Sequence, residues 1–526
     1  LPFLMNRFVI LCLLLLLSIG CGGESTSKPN GSVSKTDAAA AAEKLLNAIG
    51  NDQPATSSSS ESRDDSITQL ESDRQVGQSD PPKPQVNPDQ EADPRDDGEG
   101  ALPVQIGGPR LQAEENPVDL ERVKANGIRV LDSDHVQLFT DLPESIDLSD
   151  LPKVLDLAIP QWCEYFEVDS EEVKDWKIRA CVIKDRARFD KAGLIPKLLP
   201  EFKHGYSYGN TVFLFEQPSE YYRRHLLLHE GTHNFMLTFL DGGGPPWYME
   251  GLAELLGTHR WVDEKLTLNI VPGSRDDVPY WGRVKIVKDD VAQNQGRMLE
   301  DVMRYGSNAH LDVRPYGWCW AATAMLENDP RFSKAFRDRI SHVSESNEVF
   351  SLGLIQALGD DWHLARQQWQ WFVLNMDYGF DLKRESIVSK PTSSLDPDGD
   401  SVTIDLSVDR GWQSTGLQLA AGQKVTITAT GDFVIAREVR DGEELEWPCT
   451  ADGVTLRYHN KRPLGELIAA VDNPTEDGLT GLVNMVSVGS SNEVHTEGAG
   501  VLYLRVNDHP AELHDNRGTL SVVITP

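Results

Sequence analysis

The 526 residues carry 82 acidic against 50 basic side chains, a formal net charge of −32. That balance excludes an electrostatic grip on nucleic acid or on anionic lipid, both of which require basic surface. The length suggests about three folding units and leaves ample chain for a large core.

Taken in order, Arg7 follows Met5 and precedes the apolar run Phe8 to Leu17, then Ser18-Ile-Gly-Cys21. The run is short for a membrane span and reads as a secretory signal over residues 1–21. A cysteine directly after a small residue resembles the bacterial lipobox, with Ser18 where leucine is commoner. The resemblance implies cleavage before Cys21, acylation of its thiol and a lipid-anchored, exported protein of the cell envelope. Plain secretion with an incidental cysteine is the alternative.

Residues 22–117 are rich in Ser, Asp, Glu, Pro and Gln, include Ser57-Ser-Ser-Ser-Glu-Ser62, and lack aromatic residues. Such a stretch buries too little surface to offset chain entropy and reads as a disordered acidic tether. Ala38 to Ile49 alone has helical composition.

Order resumes near Val130. Val136 to Thr140 alternates as a strand, Leu151 to Phe166 has helical periodicity, and Ile178 to Ile183 reads as a buried strand. His204 to Phe215 reads as a third strand running into a helix. Arg223 and Arg224 read as that helix's solvated start, and His225 as a core residue or a support for the site. Then comes His229-Glu-Gly-Thr-His233. Its two imidazoles lie four residues apart, on one helical face, where they can converge on one Zn2+ with the Glu230 carboxylate beside them. Asp241-Gly-Gly-Gly-Pro-Pro246 must turn the chain. A second helical segment from Trp247 puts Glu250 and Glu254 one turn apart.

The pair His-Glu-Gly-Thr-His and Trp247-Tyr-Met-Glu-Gly-Leu-Ala-Glu-Leu255 resembles the gluzincin metallopeptidases, most nearly the peptidase-MA-like group. The resemblance implies a zinc hydrolase of peptide bonds, with His229, His233 and Glu250 as ligands and Glu230 as base. Glu254 would stand behind a ligand histidine and fix its orientation. In zincins the strand before the motif helix lines the cleft and can pair with an extended substrate. Tyr206 and Tyr208 either serve that path or simply cover the sheet.

Residues from Gly257 to about Asn308 carry no clear signal. Arg314 to Leu326 then has helical spacing, with Pro315 suited to a first turn. Gluzincins often place a tyrosine here to donate to a developing oxyanion, which makes Tyr316 a candidate catalytic residue; packing beside Trp318 and Trp320 is the alternative. Phe332 to Val343, Val349 to Leu358 and Trp362 to Met376 read as helices closing the cleft. Cys163, Cys181, Cys319 and Cys449 have no metal-type spacing and read as structural, with disulfide connectivity open.

A Pro, Ser and Asp-rich linker over residues 386–400 separates the domain 118–385 from 401–526, where short alternating segments imply a β-sandwich. Within it, Trp412-x-x-Thr-Gly-Leu-x-Leu-x-x-Gly-x-x-Val-Thr-Ile427 and Leu504-x-Val-Asn-Asp-His-Pro-Ala-Glu-Leu-His-Asp-Asn-Arg-Gly518 resemble the bacterial PA-I-type galactophilic lectin jelly roll. That resemblance implies Ca2+ bound by the side chains of Asp508, Asp515 and Asn516 and the Glu512 carbonyl, an oxygen donor set of the kind calcium takes. The stretch Trp447 to Gly453 does not match the family's sugar-holding loop.

The expected architecture is thus an α+β zincin-like metallopeptidase domain followed by an all-β jelly roll, behind a disordered tether. The expected function is a lipid-anchored extracytoplasmic zinc peptidase with a calcium-dependent carbohydrate-binding-like module. Its partners would be peptide or protein substrates, carbohydrate, and a membrane through Cys21. The alternative is a non-catalytic adhesin built on an inactive zincin scaffold.

Overall fold

The computed structural model describes residues 117–307, 312–473 and 479–526. The signal, Cys21 and the acidic segment up to residue 116 lie outside the described residues. Among the described residues, no helix is long and apolar enough to cross a membrane.

The chain folds as mixed α/β with a β-sandwich-like C-terminal region. The first sheet holds β1 (Arg129–Asp132), β2 (Val136–Thr140), β3 (Ile178–Ile183), β4 (Gly205–Tyr208) and β5 (Thr211–Phe215), in the order β1-β2-β3-β5-β4. The central strands β2, β3 and β5 are parallel, while β1 and β4 run antiparallel at the edges. Val212, Phe213 and Leu214 are buried, whereas β4 is half-exposed, as an edge strand must be. The crossover from β2 to β3 carries the helix Ile146–Phe166, whose first turn is capped by the Ser145 hydroxyl accepting from Leu148 N–H. Its buried Leu151, Leu155, Ala158, Ile159 and Trp162 recur at three- and four-residue spacing and face the core.

Two expectations are corrected here. His204 to Phe215 is a hairpin and not one strand, because Gly209 takes a left-handed φ of 58° and turns the chain between Tyr208 and Thr211. Arg223 and Arg224 are not solvated. Arg223 Nη1 donates to Asp147 Oδ2 at 2.6 Å and its Nε to Glu216 Oε2 at 2.9 Å, and Arg224 also reaches Asp147. The partner stands 76 residues away, on the first turn of another helix, where local sequence cannot reveal it.

Beyond the sheet lie the motif helix Glu220–Phe239, a second helix Pro246–Gly257 that is buried along its whole length, and the helices Arg283–Ala292, Val313–Asn328, Asn347–Leu358 and Asp361–Leu374. Cys163, Cys181, Cys319 and Cys449 are all buried and free.

In the C-terminal region one antiparallel sheet orders Ser491–His495, Lys424–Thr430, Thr519–Thr525 and Val402–Ser407. The other joins Asp452–His459, Arg462–Asp472, Gly500–Val506 and Gln413–Leu419. Leu406, Ile427, Leu467, Leu504, Leu520 and Ile524 form part of the core they enclose. The stretch 386–400 lies along Gln413–Leu419, with Ser393 and Ser394 paired parallel to Leu417 and Gln418. Trp412, Ile468 and Tyr503 of the sandwich belong to the same apolar core as Trp371 and Phe372, so the two parts share a packed seam. At its centre Glu385, fully buried, receives both guanidinium prongs of Arg505 at 2.9 and 2.8 Å.

Candidate metal centre

The motif helix starts at Ser219, whose hydroxyl accepts from Tyr222 N–H, and three successive turns put His225, His229 and His233 on one face. Gly231 permits close approach to the helix behind, since a Cβ there would lie 2.8 Å from the Trp162 ring. The second helix opens with Pro246 in its first turn, where a missing N–H costs nothing. It packs tightly on the helix Val313–Asn328 at Gly251, where a Cβ would come within 2.3 Å of Thr323 Cγ2.

These contacts bring three donor atoms together. His229 Nε2 lies 3.1 Å from His233 Nε2, and Glu250 Oε2 lies 3.4 and 3.3 Å from the two. Glu250 Oε2 is buried and makes no hydrogen bond, a deficit that a cation would relieve. Burial opposes a charge on Glu250, yet the neighbouring His233 and His229 hold its carboxyl far below the usual range. This donor set can hold a metal ion.

Behind it stands Glu254, also fully buried, with Oε1 3.4 Å from His229 Nδ1 and Oε2 3.3 Å from His225 Nε2. Arg283 donates to both of its oxygens, from Nε at 3.0 Å and Nη2 at 2.7 Å. His225, His229 and Glu254 also converge closely enough to hold a cation, but a guanidinium already occupies both oxygens of Glu254, so the trio serves first as an orienting network. His225 therefore supports the site from within the core, stacked on Tyr222 with ring centroids 5.6 Å apart.

Glu230 is buried beside the donors and lies under β4: a Cβ on Gly205 would stand 2.7 Å from its Oε1. Burial raises its carboxyl above the ordinary range, with His229 and His233 opposing. Tyr316 sits with its ring centroid 5.9 Å from that of His229. Burial, then the negative fields of Glu250, Glu230 and Glu254, keep its phenol protonated well past the usual pKa.

Sequence reasoning passed over Arg283 and Gly205. Arg283 falls in the stretch that carried no signal, 29 residues from its partner, and no spacing rule links the two. Gly205 was visible only as one residue of a supposed continuous strand.

In the sandwich, Asp508 Oδ2 accepts from Asn516 Nδ2 at 2.8 Å and Oδ1 from His509 N–H at 2.6 Å. Burial pushes Asp508 up to about 7. Asp515 Oδ2 accepts from Arg437 N–H at 3.3 Å, whereas Asp515 Oδ1 and Asn516 Oδ1 are buried without any partner. The Glu512 side chain is exposed, and its carbonyl accepts from Asp515 N–H at 3.2 Å.

No protein-family model matches the chain, and no curated protein matches it. Among solved structures, a chain described as the EclA N-terminal domain, a PllA-like lectin, is 23% identical to this one. The match covers 23% of this chain and 93% of that one, with a TM-score of 0.17.

Proposed function

We propose that the centre holds zinc and hydrolyses peptide bonds, as part of a gluzincin-type peptidase unit with His229, His233 and Glu250 as ligands. The observation that carries this reading is the donor triangle, with sides of 3.1, 3.4 and 3.3 Å. Donors about 2.0–2.1 Å from a tetrahedral ion stand about 3.3 Å from one another, and two histidines with one carboxylate leave a fourth position open. A zinc bound there would lower the pKa of a coordinated water and polarise a substrate carbonyl.

The chain's own residues supply the rest. Glu230, buried and raised by that burial, takes a proton from the attacking water and returns it to the departing amine. Phe215 N–H bonds the His204 carbonyl at 2.9 Å, so by antiparallel alternation Gly205 and Ser207 turn their backbone groups away from the sheet, toward an extended substrate. Tyr316, held protonated, donates to the carbonyl oxygen as it gains charge. The purified protein should cleave peptides, lose that activity on chelation and regain it with zinc; cleavage that survives complete chelation would overturn the reading. The rival class, a non-catalytic adhesin, gives no reason for a buried carboxylate at Glu230.

For the sandwich, the two unpartnered oxygens on Asp515 and Asn516, beside the buried Asp508, support a calcium site. Its carbohydrate-binding role rests on the sequence resemblance around that loop. Calcium should raise the melting temperature of the wild type and leave that of Asp508→Ala unmoved. Equal shifts in both proteins would remove the ion from this loop. The lipobox-like Cys21 supports an exported protein tethered to the envelope.

A further inference from the structure

We infer that Arg283 is a positioning residue for the metal centre, an inference that rests on the peptidase reading above. Arg283 opens the helix Arg283–Ala292, follows Gly282 at a φ of 65°, and is 4% exposed. Its Nη1 donates to the Trp281 carbonyl at 2.8 Å, which fixes the direction of the fork. The other two donors grip Glu254, the carboxylate that faces His229 Nδ1. The same guanidinium stands 5.6 Å from the ring centroid of Tyr316 and 6.0 Å from that of Tyr222. One side chain therefore grips the carboxylate behind a ligand and stands over the ring of the tyrosine beside that ligand.

Glu254 is fully enclosed, and the two-pronged grip of Arg283 fixes the plane and direction of its carboxylate. So held, Glu254 keeps Oε1 3.4 Å from His229 Nδ1, behind the ring whose Nε2 faces Glu250 and His233, and a carboxylate free to swing would no longer fix that ring's orientation. Arg283 keeps Glu254 aimed, and at the same time stands over the ring of Tyr316. Lysine carries the charge but neither the two-pronged fork nor the planar face.

The test uses the full chain, with zinc affinity measured by competition against a chromophoric chelator. Arg283→Met should weaken zinc binding by about 10–100-fold, the range seen when a group supporting a ligand is removed. Arg283→Lys should lose less. Because Arg283 acts on the ion through Glu254, the double variant Arg283→Met/Glu254→Gln should bind zinc no more weakly than Glu254→Gln alone. At saturating zinc, Arg283→Met should lower kcat with little change in KM. Arg283→Lys leaves no unpaired buried charge, so it decides the matter if Arg283→Met does not fold: wild-type zinc affinity in it would then overturn the inference. Wild-type zinc affinity in Arg283→Met, or losses that multiply in the double variant, would overturn the inference. A wild-type protein that binds no zinc would instead overturn the peptidase reading beneath it.

Discussion

Glu230→Gln should lower kcat/KM for peptide cleavage by about 10²–10⁴-fold, the usual contribution of a positioned general base. The amide keeps the shape of the side chain, so the close packing against Gly205 survives. Glu230 is not one of the three converging donors, so zinc content and melting temperature should stay at wild-type values. That combination separates loss of chemistry from loss of the site. It also divides the two functional classes, because an adhesin on an inactive scaffold would be indifferent to the change. Cleavage within a few-fold of wild type in Glu230→Gln would remove this residue from the mechanism.

The second large effect concerns the seam. Glu385→Ala should destabilise the protein by about 3–5 kcal/mol, because it strands the buried Arg505 charge without a counter-ion. Glu385 also accepts from Trp371 Nε1 at 2.7 Å, and Arg505 lies 5.0 Å from the Trp371 ring and 5.8 Å from that of Trp412. One carboxylate thus ties the helix Asp361–Leu374 to the sandwich. Chemical unfolding should show the drop, and limited proteolysis should cut faster within residues 386–400. The apolar double variant Glu385→Leu/Arg505→Met should recover much of the loss, since paired removal leaves neither charge exposed to the interior. A change below about 1 kcal/mol in Glu385→Ala would show the seam to be held by its apolar packing and not by this ion pair.

What could be read from the sequence depended on the reach of each signal. Val136–Thr140 and Ile178–Ile183 are strands in the sequence pattern and in the fold alike, because a period of two is written locally. His229, His233 and Glu250 declared themselves through residue type and spacing, and their donor atoms do meet. The β4–β5 hairpin was hidden because a single Gly-Asn turn interrupts an otherwise continuous β-forming run. Arg223, Arg224, Arg283 and Glu385 were illegible for a different reason. Each is defined by a charged partner on another element, and nothing in the local sequence announces a buried ion pair.

The most direct measurement of the central claim is the metal content of the purified protein. One zinc per chain is predicted, held through dialysis and lost in His233→Ala. A protein that carries no zinc and takes up none, or one whose zinc is unaffected by His233→Ala, would contradict the account.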